Sequence, residues 1–482
     1  MVACSGSASS PEPTTTTTTT TAPASAGSAA PTTTATAPTA AESSRAAAAG
    51  LGDPYFPGLG NQGYDVDHYL IDLDADWVVN RIEGTTTIEA TATGDYTSYT
   101  LDFLGLDIAG VTFDGTTVPY RREGPDDGEL RIDAPLVAGE SFTVAVSYSG
   151  IPDPTEPGAL PFSTGWLTNA EGTFVVSEPA GARTWFPAND HPADKASFTI
   201  RITVPAGMTA VANGTLTETL ETGTGATFVW EMPEPMATYL ATVVVAPLER
   251  VDHPPIGEVA LRDYLPPALA RDVPEAFTKT GEMIDYFDDL FGPYPFAAYG
   301  HVVVSGFPAA LETQTMTVFG YDWFYSPFIE FVVAHELAHQ WFGDWVSPST
   351  WQDIWLNEGF ATYGELLWVE HLYGPVAMQA EAASRYDDLS LQPHALTGDP
   401  REEALFGISV YQRGGLTLHA LRAEVGDDAF FEILRTWVER YGSDDASTAD
   451  FIALAEEIAQ RDLGDLFDAW LFSAELPPLP SW

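Results

Sequence analysis

The sequence predicts an all-β unit followed by an α+β unit, the two preceded by an unstructured tail. Three observations carry that reading. Residues 1 to about 55 hold almost no large apolar side chains; short runs alternate apolar and polar residues from about 63 to 247; helical periodicity takes over beyond about 251. The expected boundaries are 1–57 for the tail, 58–250 for a β-sandwich N-domain and 251–482 for the α+β domain.

The tail is built from Thr, Ala, Ser and Pro, with eight consecutive threonines from Thr14 to Thr21. Such a segment cannot bury enough surface to offset its ordering entropy, so disorder is expected there. In the β region, residues 68–74, 84–90, 141–148 and 197–204 alternate with period two and are rich in β-branched residues. Gly, Asp, Asn and Pro separate such runs, the pattern of an antiparallel sandwich. Helical patterns then cover 274–291, 327–342, 356–372, 407–425, 429–441 and 448–472, with strands near 301–304 and 315–319. The last helical stretch ends ten residues short of Trp482, so no large C-terminal helical domain is expected.

Charge narrows the function classes. Asp and Glu number 69 against 19 Lys and Arg, a net charge of −50, which repels phosphate backbones and excludes nucleic acid as a partner. Apolar residues at 45% and aromatics at 12% supply sizeable cores, which excludes a wholly disordered chain. The longest apolar stretch, around 236–248, is interrupted by Thr238, Tyr239 and Thr242, so no spanning helix is expected. The single cysteine, Cys4, forbids an intrachain disulfide. Its setting, Val2-Ala3-Cys4-Ser5-Gly6, resembles the cleavage end of a bacterial lipoprotein signal, without the basic and apolar regions of a signal peptide ahead of it. That resemblance implies an exported protein, extracellular or at the cell surface, touching a membrane only through a lipid anchor on Cys4.

The chemistry concentrates in Val333-Ala-His335-Glu336-Leu-Ala-His339-Gln340-Trp341. His335 and His339 are four apart in a helical pattern, so their rings project from one face, one turn apart. Two neutral imidazoles so placed can share a tetrahedral zinc ion. Glu336, one residue after the first histidine, can take the proton from a water on that metal. The flanks 331–334 and 341–342 are apolar, so the histidines face a buried environment and need partners. A third ligand is needed, and Glu358 stands nineteen positions after His339, on a stretch expected to form an independent amphipathic helix. That spacing resembles the one at which gluzincin metallopeptidases place their ligand glutamate.

His335-Glu-Leu-Ala-His-Gln-Trp-Phe-Gly343, followed by Trp355-Leu-Asn-Glu-Gly-Phe-Ala361, resembles the aminopeptidase N family of zinc aminopeptidases. Three further segments carry the same resemblance. Glu178-Pro-Ala-Gly-Ala-Arg183 through Asp190 to Lys195-Ala196 is similar to the family's N-domain motif, and Ala309-Ala-Leu-Glu312-Thr313 occupies the place of its exopeptidase motif. Tyr411-Gln-Arg-Gly414, 53 residues after Glu358, resembles its tyrosine element. Order and approximate spacing agree across about residues 60–475.

The resemblance implies a β-sandwich packed on a thermolysin-like catalytic domain that holds one zinc ion through His335, His339 and Glu358. Glu336 would activate water, and Tyr411 would donate a hydrogen bond to the oxyanion. Glu312 and Glu178 would bind the free α-amino group of a peptide substrate, so that only its N-terminal residue is removed. Two departures bear on substrate fit: Ala309 and Thr313 replace the Gly and Asn of the exopeptidase motif. Asp344 stands where the family often has Asn, a position suited to tuning the surroundings of the metal. His68, His253, His371, His394 and His419 lack metal spacing, His191 reads as structural, and the aromatic run 321–325 reads as core or cleft wall. Two rival readings remain at this level. A thermolysin-type endopeptidase would cleave an N-acetylated peptide equally well, and a binding protein that merely keeps the scaffold would hold no zinc.

Overall fold

The structure, a computed structural model, describes residues 45–480. The period-two runs become the long strands of an eight-stranded sheet among these residues. Its spatial order is Thr215–Glu221, Gly225–Met236, Ala196–Pro205, Tyr64–Asp76, Arg81–Ala92, Ser141–Gly150, Asp107–Phe113 and Thr116–Thr117. On Tyr64–Asp76 the alternation sorts faces: Tyr69, Ile71, Leu73 and Ala75 are buried, whereas Asp72, Asp74 and Asp76 are exposed. The buried face shares one apolar core with Leu101 and Leu130 of a three-stranded sheet and with Val175 and Val244 of a four-stranded one. The sandwich is not wholly antiparallel. Tyr64–Asp76 pairs parallel with Ala196–Pro205, His68 opposite Ser197, which the long intervening chain permits and local alternation does not reveal.

The expected boundary at 250/251 falls inside a hairpin. Glu249–Ile256 pairs with Val259–Leu265, which continues into the sheet of the second domain through parallel pairing with His301–Val304. That sheet runs on through Thr317–Gly320 to Ala310–Leu311, an antiparallel edge strand that ends one residue before Glu312.

The helices are α1 (Glu275–Thr278), α2 (Thr280–Phe291), α3 (Ile329–Ala338), α4 (Trp355–Tyr373), α5 (Pro375–Ser390), α6 (Gly414–Val425), α7 (Asp427–Tyr441), α8 (Thr448–Ala459) and α9 (Gly464–Phe467). None of them is long and apolar enough to cross a membrane. The expected stretch 448–472 is interrupted because Gln460, with φ 54°, turns the chain out of α8. The stretch 407–425 starts as a π-helical turn, Ser409–Arg413, before α6. α5 has no counterpart in the sequence reading: only Met378, Ala382, Arg385 and Leu389 face inward, too weak an apolar stripe to register. α4 is not amphipathic as expected. Trp355 to Val369 are all buried, because α3, α5 and α6 surround it.

The expected tail is also too long at its C-terminal end. Residues 45–57 are strapped across both domains: Ala47 N–H donates to Ser98 O (2.8 Å), Trp351 N–H to Asp53 Oδ2 (2.7 Å) and Tyr55 Oη–H to Asp399 (2.7 Å). Asp53, Tyr55 and Phe56 supply the anchoring groups that the Thr/Ser/Ala composition upstream lacks. The remainder of the expected tail, with Cys4, lies outside the described residues.

Candidate metal centre and substrate cleft

α3 and α4 bring the three expected ligands together. The His335 and His339 rings lie 4.8 Å apart by centroid, and Glu358 Oε2 stands 3.3 Å from His335 Nε2 and 3.4 Å from His339 Nε2. Donors about 2.0–2.2 Å from one tetrahedral zinc sit about 3.4 Å from each other, so the triad fits that ion. The other ring nitrogens are already used: His335 Nδ1 meets Glu365 Oε1 (2.8 Å) and His339 Nδ1 meets the Phe342 carbonyl (3.1 Å). Those bonds place the protons on Nδ1 and leave both Nε2 lone pairs for a cation. Burial opposes the Glu358 charge, yet the two imidazoles hold its carboxyl down at about 2.

Glu365 is a functional side chain that sequence reading missed. It lies seven residues after Glu358, two turns along the same face of α4, and that periodicity was the available signal. Arg385 of the unexpected helix α5 donates to Glu365 Oε2 (2.8 Å) and through Nε to Glu381 (2.9 Å). Burial would raise the Glu365 carboxyl; the Arg385 guanidinium and the His335 hydrogen bond bring it to about 2.

A second group of carboxylates adjoins the triad. Ligand oxygens of Glu178, Glu312 and Glu358 all lie within 4.8 Å of one another. Glu178 follows strand Thr173–Val176 of the sandwich and Glu312 follows the edge strand Ala310–Leu311, so the two domains meet over the metal triad. Glu178 Oε1, Glu312 Oε1 and Glu336 Oε2 are buried with no hydrogen-bond partner. Burial, reinforced by neighbouring carboxylates, pushes the Glu178 carboxyl well up and Glu336 to about 8; burial likewise raises Glu312. Leu160, Phe162, Val176, Leu311, Trp323 and Phe406 supply apolar walls around these carboxylates. Several buried carboxyl groups without hydrogen-bond partners, whose ionised forms burial disfavours, call for a cation.

Tyr411 joins the same cavity from the π-helical turn, its ring parallel to His335 at 15° and 5.9 Å between centroids. Close approach of α4 to this turn makes that placement possible. A Cβ on Gly359 would fall 2.8 Å from Gly414 Cα, so neither position admits a side chain without moving Tyr411 away from Glu358. Asp344 is buried; its Oδ2 accepts from Gln340 (2.7 Å) and its N–H donates to His339 O (3.0 Å). Of the aromatic run, Trp323 lines the cleft and Phe324 is buried, whereas Tyr325 is exposed.

The remaining expected histidines sit apart, and among the described residues none belongs to a cluster of three metal-ligating groups. His68 meets Ser197, His371 meets Glu282, His419 meets Gln379, His394 meets the Gln392 carbonyl, and His191 lies against Asp53. His253 and His301 share Asp263, at 2.5 and 2.8 Å.

Comparison with known proteins agrees with this geometry. Residues 65–240 match the model of the peptidase M1 N-terminal domain, and residues 275–470 match that of the peptidase family M1 domain. Aminopeptidase M1-B of Oryza sativa subsp. japonica is 27% identical over 407 residues, 76% of this chain and 46% of that protein. Aminopeptidase N of Streptomyces lividans is 30% identical over 331 residues, 62% of this chain and 38% of its own length. The chain thus spans about half the length, or less, of these curated relatives. The crystal structure of an M1 zinc metallopeptidase from Deinococcus radiodurans superposes with a TM-score of 0.81 at 35% identity, covering 90% of this chain and 99% of that one. A mutant of that protein was solved bound to a Tyr-Ser-Ala substrate, with a TM-score of 0.82 at 34% identity and the same coverage. With both domains matched in order and a relative of 35% identity covered almost end to end, this chain belongs to the M1 family of zinc metallopeptidases.

Proposed function

We propose that the chain is a monozinc aminopeptidase that removes the N-terminal residue from peptides. One observation carries the exopeptidase part: two buried carboxylates without partners, Glu178 and Glu312, stand beside the His335–His339–Glu358 triad. An α-ammonium group can donate to both and offset their charge, whereas a blocked or internal amide brings one N–H and no charge. Zinc held by the triad supplies a Lewis acid that polarises the scissile carbonyl and makes water acidic.

The chain's own residues do the rest. Glu178 and Glu312 fix the amine, so that the first peptide bond reaches the triad. Glu336, whose burial raises its proton affinity, takes a proton from the attacking water and passes it to the departing amine. Tyr411 donates its phenolic hydrogen to the oxygen on which negative charge develops. Glu365 and Phe342 O keep the imidazoles in the tautomer that offers Nε2. That a mutant of the Deinococcus radiodurans relative was solved with a Tyr-Ser-Ala substrate, and mutants of a two-domain M1 zinc metallopeptidase with L-tryptophan and L-arginine, supports a ligand with a free amino group here.

Hydrolysis of leucyl or alanyl amide against the N-acetylated amide tests the reading. The free amide is expected to be cleaved at least about 100-fold faster, the size of effect a site built around a polar group achieves when that group is lost. Equal rates indicate an endopeptidase, and absence of zinc from the purified protein indicates a binding scaffold. The acidic composition and the setting of Cys4 support an exported, lipid-tethered enzyme; an N-terminal mass lacking a diacylglyceryl group on Cys4 in the native host removes that part.

A further inference from the structure

Gln340 is fully buried, and its amide makes three hydrogen bonds of its own and shares a fourth. Nε2 donates to the Glu312 carbonyl (3.0 Å) and to Asp344 Oδ2 (2.7 Å), while Oε1 accepts from Thr315 N–H (2.8 Å) and lies 3.3 Å from Tyr294 Oη, whose single hydrogen it shares with the Ala298 carbonyl (3.2 Å). The opposite amide orientation would set oxygen against the Glu312 carbonyl and the Asp344 carboxylate, so the partners fix this one.

Two of those partners belong to the turn between edge strand Ala310–Leu311 and strand Thr317–Gly320. Glu312 begins that turn. Thr315, with φ 66°, holds a left-handed conformation rare for a β-branched residue, which persists only where surrounding contacts enforce it. One side chain therefore clips both ends of an irregular turn onto the helix end that carries His339, the residue before Gln340. From the sandwich side, Lys195 Nζ donates to the carbonyls of Asp344 and Trp345 (2.8 Å each), holding the loop that presents Asp344 to Gln340.

We propose that Gln340 is a positioning residue for amine recognition: it sets the separation between the Glu312 carboxylate and the metal triad, and with it the one-residue reach of the enzyme. The inference rests on the reading that Glu312 takes the substrate amine. The Glu312 carbonyl is tied to His339 through a single hydrogen bond, the Gln340 side chain and one peptide unit. Without it, the Glu312 carboxylate drifts away from the substrate amine, so the charged contact that holds the amine weakens and KM rises.

The test compares wild type, Gln340→Glu and the double variant Gln340→Glu/Asp344→Asn, using leucyl p-nitroanilide and its N-acetyl form. Gln340→Glu keeps shape and the acceptor for Thr315, but loses both donors and faces Asp344 with a like charge. Adding Asp344→Asn restores a hydrogen bond between positions 340 and 344 and leaves the Glu312 carbonyl without its donor, so the double variant is the readout if the single one fails to fold. Both variants are expected to retain one zinc per chain and kcat within about threefold. KM for the free amine is expected to rise about tenfold or more, about 1.4 kcal/mol or more, with the rate on the N-acetyl substrate unchanged. The double variant is expected to regain thermal stability but not KM. Recovery of KM together with stability overturns the proposal, as does a loss of zinc and kcat at constant KM. A wild-type ratio of free to acetylated rates near one removes the amine reading itself; a large ratio that Gln340→Glu leaves intact removes only the role of Gln340.

Discussion

Two clusters of buried acids, a few ångströms apart, are built on opposite principles. In the metal cluster every group has a partner: Glu358 faces two imidazoles, Glu365 holds His335 and is held by Arg385, and both carboxyls are kept near 2. In the amine cluster Glu178, Glu312 and Glu336 each keep a buried oxygen without a partner, and their carboxyls are pushed up. Burial is equal; compensation is not. The first cluster is organised before any ligand arrives, whereas the second carries an electrostatic deficit that a substrate cation offsets. Under the proposed function, selectivity for a charged amine would come from that deficit, and the chemistry from the organised side.

The sharpest way to break this contrast is at Glu336, which belongs to the unpaired set yet acts on the metal side. Glu336→Gln is expected to lower kcat by about 10³-fold or more with zinc content unchanged, measured by steady-state kinetics and metal analysis. Tyr411→Phe should cost kcat about 10²–10³-fold with little change in KM. On the amine side, Glu312→Gln and Glu178→Gln should raise KM for free-amine substrates by about 10- to 100-fold, the value of a hydrogen bond between charged groups, and narrow the preference over N-acetylated ones. On the metal side, Arg385→Met should weaken zinc affinity by about 10-fold or more in a chelator competition, through Glu365 and His335. The smallest effect lies outside both clusters, at His253, which the Asp263 carboxylate bonds and holds above its ordinary pKa. That bond stabilises the fold below the unfolded histidine pKa and is lost as pH rises through the folded one. The thermal midpoint of wild type should therefore drop more than that of His253→Gln between about pH 6 and 8, read by calorimetry on the zinc-loaded protein.

The same contrast explains what the sequence made legible. His335, Glu336 and His339 share one helical turn, so local periodicity is enough to place them. Glu358, Tyr411, Glu312 and Glu178 are brought together by tertiary packing, and only family resemblance reached them from sequence. Glu365 and Arg385 escaped because their roles exist only once α4 and α5 pack, and α5 shows the core a mere four residues, one of them charged. α4 misled in the other direction, since a helix surrounded on all sides has no polar face to reveal its period. The strap at 45–57 shows a composition boundary hiding a structural one: Asp53 and Phe56 tie it to Trp351, and Tyr55 ties it to Asp399. The parallel pairing of Tyr64–Asp76 with Ala196–Pro205 is non-local, and no window of alternation could report it.

The contrast between clusters also identifies a competing ion site, because Glu178, Glu312 and Glu358 lie close enough to share a cation themselves. Crystals of the zinc-loaded protein with a non-hydrolysable free-amine inhibitor, measured at the zinc absorption edge, separate the two directly. A single anomalous peak is expected among His335, His339 and Glu358, with the inhibitor nitrogen bonded to Glu178 and Glu312. A peak among the three carboxylates, with both imidazoles free of metal, would contradict that expectation.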